Sequence, residues 1–356
     1  MSDAKPAAMG DVSSDESRLR ADVTVITAAY SMGRWSLTNA AVESVLAETT
    51  LPREIILPID HNPELFTRLT EHWARARTGQ AGPTITVVES RYDGHLGASA
   101  TTAAQLASSN FLAFLDDDAA ADPDWLEHLL APFNDPTVIA VGGAPLPIYS
   151  APRPRWFPGE FDWVFGCSYI GLPTRAEPIL HLIGTTMAVR RSDFLAIGGV
   201  HSNDHGDMEL SHRLLEFSPT SKLLYEPAAR VRHYVHENRL RWSYFWRRCF
   251  FVNRSKVSAM RLLGTAGHLR AERSFAARVL TRGVLRNLRE FIRGDVGGLL
   301  RAGAICVGVG LAAAGYAIGT IEWHLGRRPR GVAAGWVGSL GSPVSARGEA
   351  EPTPDA

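Results

Sequence analysis

Residues 111–130 read FLAFLDDDAAADPDWLEHLL, an apolar run that stops at three consecutive carboxylates, Asp116, Asp117 and Asp118. Adjacent carboxylates repel one another, and the repulsion is relieved only by solvent or by a cation among them. A hard divalent cation suits such oxygen donors, so the triplet is a candidate metal site. Two further acids stand at junctions: Asp60 closes EIILPID (54–60), and Asp207 follows DHG (204–206) at the mouth of a helical pattern. Alone, Asp60 reads as a turn acid, and Asp207 and Glu209 as first-turn acids favoured by the helix dipole. Beside a metal site, Asp60 and Asp207 become candidates for ligand binding and proton transfer, while Glu209 keeps its dipole reading.

Elements must hold these acids together. VTVITAAY (23–30), EIILPID, TITVVES (84–90) and FLAFLDDD (111–118) are short β-rich runs. Between them, 34–49, 62–78 and 97–109 carry apolar residues at helical spacing, with Asn62 as N-cap and Pro63 in the first turn of the second. Near-continuous apolar strands alternating with helices predict a mainly parallel sheet covered on both faces. Ligands of such sheets bind beyond the carboxyl ends of the strands, where Asp60 and the triplet fall. A short helix over 122–136, a strand over 138–149, and a strand, helix start at Ser192–Asp193 and Gly-Gly stop over 181–200 continue the pattern. Residues 150–178 are rich in Pro, Gly and aromatics without period and read as a long ordered loop, with Trp156, Trp163 and Tyr169 as buried plugs or a stacking platform. In the helix after Asp207, Leu210, Leu214, Leu215 and Phe217 are expected to face inward.

The chain has 356 residues, 45% hydrophobic and 21% charged, with 37 basic and 37 acidic side chains. That balance suits a globular protein and gives no overall basic field for nucleic acid. Arginines nevertheless concentrate between Arg230 and Arg330, an end that suits phosphate or anionic lipid, or forms a solvated helical face. RLRWSYFWRRCFFVNRSKV (239–257) is aromatic and basic at helical spacing. The run 302–321 carries no charge and can cross a bilayer or pack as a core or oligomer helix, with Gly315 and Gly319 in small-xxx-small spacing. Cys167, Cys249 and Cys306 lack metal or disulfide spacing, which fits a reducing cytoplasm. Residues 1–21 and 331–356 are expected to be disordered.

VTVITAAY, EIILPID, DGHLGASATTAAQLASSNFLAFLDDDAAADPDWLEHL, GTTMAVRRSDFLAIGGV and GDMELSHRLL follow one another as in a family 2 glycosyltransferase. The chain resembles that family over about residues 22–257. The resemblance implies an α/β fold of GT-A type with a mainly parallel sheet, followed by a C-terminal helical extension over 258–330. It implies an inverting transfer from a nucleotide diphosphate sugar, with a divalent cation, Mn2+ or Mg2+. Asp60 and the segment holding Gly94 and Gly97 would meet the donor, with Asp116 and Asp117 near ribose or sugar. Asp118 would hold the cation, joined by a histidine, His233 or His236. Asp207 would be the general base, and Arg247 and Arg248 would clamp diphosphate or a lipid-linked acceptor, as guanidinium does.

Ala98, Ser99 and Ala100 stand where many members read Ala-Arg-Asn, and Gly206 precedes Asp207 where many carry Glu. There is no Q-x-x-R-W box, so one transfer per encounter is expected instead of a processive synthase. The expectation is thus a cytoplasmic enzyme at the inner face of a membrane, acting on a glycan or lipid-linked acceptor. A GT-A-fold module that binds at a membrane without turnover is the alternative.

Overall fold

The computed structural model describes residues 18–79, 81–91, 96–200, 205–262 and 269–327. The arm over 1–21, except its last four residues, and the tail over 331–356 lie outside them, as does Gly94. Strands β1 (Leu19–Ile26), β2 (Thr50–Ile59), β3 (Thr84–Glu89) and β4 (Phe111–Leu115) form the parallel half of one sheet, in the order β3-β2-β1-β4. The sheet continues through β8 (Thr186–Arg190), β6 (Val138–Tyr149), β9 (Lys222–Val235) and β5 (Ala119–Ala121), with β7 (Glu177–Ile179) also on β9. Strand β8 is antiparallel to both neighbours, while β6 and β9 run parallel.

Strand alternation sends side chains to two cores. Leu57, Ala113 and Leu115 meet α1 (Trp35–Leu46), α2 (Pro63–Ala76) and α4 (Trp125–Leu130) on one face. Ile56, Leu112 and Phe114 meet α3 (Leu96–Leu106), α5 (Arg191–Ala196) and α6 (Gly206–Phe217) on the other. The Asn62 side chain accepts the Leu65 N–H at 3.0 Å and Pro63 opens α2, as its sequence predicts. Gly198 and Gly199 end α5 with φ of 79° and 76°, and a Cβ on Gly199 would collide with Thr101. Two expectations are corrected. Phe217, at the last turn of α6, is 52% exposed, because the buried stripe ends with Leu214. The aspartates are not the end of β4, which stops at Leu115; they form a turn leading into β5.

The 150–178 segment contains a 3-10 helix, Gly159–Phe165. Its Phe157, Phe161 and Phe165 make a third core with Phe245 and Cys249 of α7 (Trp242–Leu262) and Ile305 of α9 (Val296–His324). Trp156 and Trp163 pack against this core, so these two aromatics are plugs. Helix α8 (Leu269–Ile292) joins α7 to α9 in sequence. The backbone of Gly315 abuts Phe250, that of Gly319 abuts Arg254, and Arg254 pairs with Glu322. The small-xxx-small face is therefore used within the chain.

Candidate active site

The carboxyl end of β4 turns sharply because Asp116 and Asp118 are held by their backbones. The Asp116 N–H donates to Thr185 O at 3.1 Å, and Asp118 O accepts from Tyr234 N–H at 2.8 Å. That turn, not an extended run, brings Asp116 and Asp118 to the same side. Their carboxylates and the His233 imidazole offer ligand atoms that all lie within 4.8 Å of one another. His233 Nε2 is 3.1 Å from Asp118 Oδ1, and its Nδ1 is 3.4 Å from Cys167 Sγ. Two carboxylates and one imidazole are a donor set that suits Mn2+ better than a purely oxygen set does, so the residues present fit a divalent cation.

The third aspartate has a different partner. Asp117 pairs with the Arg34 guanidinium, whose second nitrogen lies 3.2 Å from Asp118 Oδ2, and Arg239 adds a further cation at 3.8 Å from the same oxygen. Arg34 also stacks over Tyr30 at 5.0 Å. Burial pushes the Asp117 carboxyl up to about 7 against the pull of Arg34, aided by repulsion from Asp118 and Asp116. Burial also raises Asp116, and the Asp118 charge adds to the shift. At Asp118 burial acts in the same sense, but the hydrogen bond and charge of His233, with Arg34 and Arg239, outweigh it and hold the carboxyl below its ordinary range.

Asp207 lies in the first turn of α6, half-buried. Its Oδ2 accepts the Gly184 N–H at 3.2 Å and its Oδ1 the Met208 N–H at 2.8 Å. Gly184 is in van der Waals contact distance of Asp207, where a Cβ would crowd it at 3.3 Å. The adjacent residue, Thr185, holds Asp116. A dipeptide thus links the candidate base to the candidate metal group. Asp60 follows β2, its N–H on Ala29 O at 2.9 Å and its carboxylate 2.6 Å from His61 Nδ1; His61 adopts φ 46° to turn the chain.

Among the described residues, the other sequence candidates make no hydrogen bond or ion pair with this group. His236 is exposed, and its Nδ1 accepts the Asn238 N–H at 3.2 Å. Strand alternation separates the two histidines: Val231, His233 and Val235 are buried on one face of β9, which ends before His236. Reading the strand through Val235 would have selected His233 from sequence. Gly97 sits in the first turn of α3, where its carbonyl accepts from Thr101. Arg247 is exposed beside Trp246, and Arg248 is half-buried with its Nε lacking a hydrogen-bond partner. Glu209 is buried and pairs with Arg213 at 3.1 Å, a structural role. Arg34 and Arg239 escaped the sequence reading, since they reach the site from two short 3-10 turns, Met32–Arg34 and Glu237–Leu240, far apart in the chain.

Comparison with known proteins gives the family of the chain. The model of glycosyl transferase family 2 matches residues 24–198, a span that includes Asp60 and the triplet and stops before Asp207 and His233. A glucosyl-dolichyl phosphate glucuronosyltransferase of Haloferax volcanii is 33% identical over 246 residues, 66% of this chain and 76% of that protein. A pre-mycofactocin glycosyltransferase of Mycobacterium tuberculosis is 28% identical over 172 residues, 46% of this chain and 35% of that protein. The mannosyltransferase PcManGT of Pyrobaculum calidifontis, solved with GDP-Man and Mn2+, aligns with a TM-score of 0.53 at 15% identity, over 87% of this chain and 90% of that one. The fold is thus a GT-A-type α/β fold with a C-terminal helical region. The chain belongs to glycosyl transferase family 2.

Proposed function

We propose that the protein is an inverting, cation-dependent glycosyltransferase that moves one sugar per encounter from a nucleoside diphosphate sugar to a hydroxyl of a lipid-linked glycan. The observation that carries this reading is the Gly184–Thr185 link between Asp207 and Asp116. It sets a half-buried carboxylate beside a group of cation ligands, the arrangement needed to deprotonate an acceptor next to a diphosphate leaving group.

Asp116, Asp118 and His233 would hold the cation, with Asp60, Asp116 and the Gly97 turn toward the nucleoside and sugar. A bound divalent cation would offset the charge that develops on the departing diphosphate. Asp207 accepts the proton of the acceptor hydroxyl as its oxygen attacks the anomeric carbon and the bond to the diphosphate breaks. Attack from the face opposite the leaving group inverts the anomeric centre. The two backbone N–H groups on Asp207 fix its orientation. Arg34 keeps Asp117 and Asp118 in place.

A lipid-linked acceptor is supported by the Haloferax relative, whose name specifies a glucosyl-dolichyl phosphate. We take residues 22–257 as the transferase unit and 258–330 as a membrane-facing extension. Among the described residues α9 alone is long and apolar enough to cross a membrane, and only 28% of its most apolar window is buried. Between Val296 and Ile321 every exposed position is apolar, glycine or cysteine. The free state of all three cysteines fits the cytoplasmic face.

Thermal unfolding with a panel of nucleotide sugars, with manganese or with chelator, tests the reading. One donor should raise the midpoint only with metal, by ~2.7 kcal/mol of stability at a hundredfold excess over Kd. Asp118→Asn should lose that response, whereas Asp207→Asn should keep it and lower kcat by roughly 10²–10⁴. Full turnover by Asp207→Asn would remove the base assignment. Folded protein that responds to no donor would favour a binding module.

A further inference from the structure

A second concave site lies between α8 and the loop core. Arg282, Arg286 and Arg289 form one wall of a cleft of about 510 Å³, and Glu160, Ile170 and Gly171 line the other. The three arginines recur at spacings of four and three, so they share one face of α8. Arg286 is anchored: its Nη2 lies 2.9 Å from Oε1 of Glu160, whose side chain is fully buried. Arg282 and Arg289 are exposed and make no ion pair among the described residues. Gly283 lets α8 approach Glu160 closely, since a Cβ there would overlap the carboxylate. Glu160, and Glu290 at 3.9 Å from Arg286 Nε, set two acids against three guanidinium groups and still leave the cleft net positive, with the half-exposed Leu285 and Ile170 on its rim.

We propose that this cleft binds a phosphate group of the lipid-linked acceptor. Guanidinium groups bind phosphate oxygens in bidentate fashion, and an apolar rim beside the anion site suits a phosphate carried by a lipid. The floor of the cleft also connects to the reaction site. Glu160 lies in the first turn of the 3-10 helix that ends beside Gly166, and Gly166 O accepts from Thr185 Oγ1 while the next residue, Cys167, touches His233. At 3-10 rise, Glu160 and Gly166 are roughly 12 Å apart, so one short buried helix couples the cleft to the reaction site. The phosphate would sit in the cleft and the accepting hydroxyl beside Asp207. The assignment rests on the transferase reading above only for the identity of the acceptor.

The test uses the full chain and flotation with three vesicles: phosphatidylcholine alone, the same doped with a polyprenyl phosphate, and the same doped with phosphatidylserine at matched charge. The double variant Arg282→Gln/Arg289→Gln should lose binding to the polyprenyl phosphate vesicles by roughly tenfold per arginine. Binding to phosphatidylserine should change less, and Arg75→Gln on α2 should change neither. Inorganic phosphate, followed by thermal shift, separates sources: a response abolished by the double variant shows that the cleft recognises phosphate itself, and its absence assigns recognition to the headgroup on the lipid. Equal losses on both doped vesicles would reduce the cleft to a charged surface, and wild-type binding by the variant would overturn the proposal. The manganese-dependent donor response of the variant should be unchanged. If no donor acts even on the wild type, the transferase reading fails while the phosphate result stands.

Discussion

Glu48 shows what a buried carboxyl does when no guanidinium meets it. It follows α1, is fully buried, and reaches the N-terminus of α4, where Oε2 accepts the Leu126 N–H at 3.3 Å while Oε1 has no hydrogen-bond partner. Burial pushes it up to about 8. The folded chain therefore keeps this proton where the unfolded chain has lost it. Stability should fall as pH rises from about 4.5 to about 8, by at most about 1.4 kcal/mol per pH unit, and level off above. Urea unfolding across that window should show the slope, and Glu48→Gln should reduce it, leaving the share of Asp117, whose carboxyl is raised in the same sense; an unchanged slope would exclude Glu48 as a source. The carboxylates of the site were legible in the sequence because apolar strands that stop at acids are a local pattern. Arg34 was not, since it comes from the plain turn SMGR, 83 residues from its partner Asp117. Glu160 was hidden likewise: its partner Arg286 is 126 residues away. No local periodicity encodes such pairs.

Periodicity placed the elements better than their ends. Strand β6 is found over Val138–Tyr149 as read, and α2 starts at its cap. The three alanines of β5 carry no strand signal of their own and become a strand only because β9 pairs with them. The charge-free run 302–321 marked α9 but not its length, since Arg301 enters the helix by bonding Asn287, Glu290 and Asp295. Its glycines matter at this scale. Gly315→Val would drive a branched side chain into the backbone of α7 at Phe250, where nothing but a shift of the helix makes room. Such overpacking costs roughly 1–3 kcal/mol, so urea unfolding should show a loss of that size and limited proteolysis should cut α9 faster. Gly310→Ala, where a Cβ meets open space, should be neutral or better.

For the whole molecule, one side of α9 is fastened to α7 and α8 while the other is exposed, so the expected membrane contact runs along the helix. Cys306 is exposed on α9 whereas Cys167 and Cys249 are buried, which makes it a native probe. An environment-sensitive fluorophore on Cys306 should shift to the blue with vesicles. Ile318→Asp/Ile321→Asp should weaken partitioning by tenfold or more, because each isoleucine contributes about 1.5–3 kcal/mol when taken from water; no spectral shift with any vesicle would exclude this face from the bilayer. The hydrogen bond between Asp118 and His233 spans 115 positions of the chain, and that has a consequence in time. Loop closure over such lengths comes late in folding, so a nascent chain builds the parallel half of its sheet well before it owns a reaction centre. During synthesis the aspartates are on hand long before the histidine that completes them, and the protein acquires its chemistry only when the last strand docks.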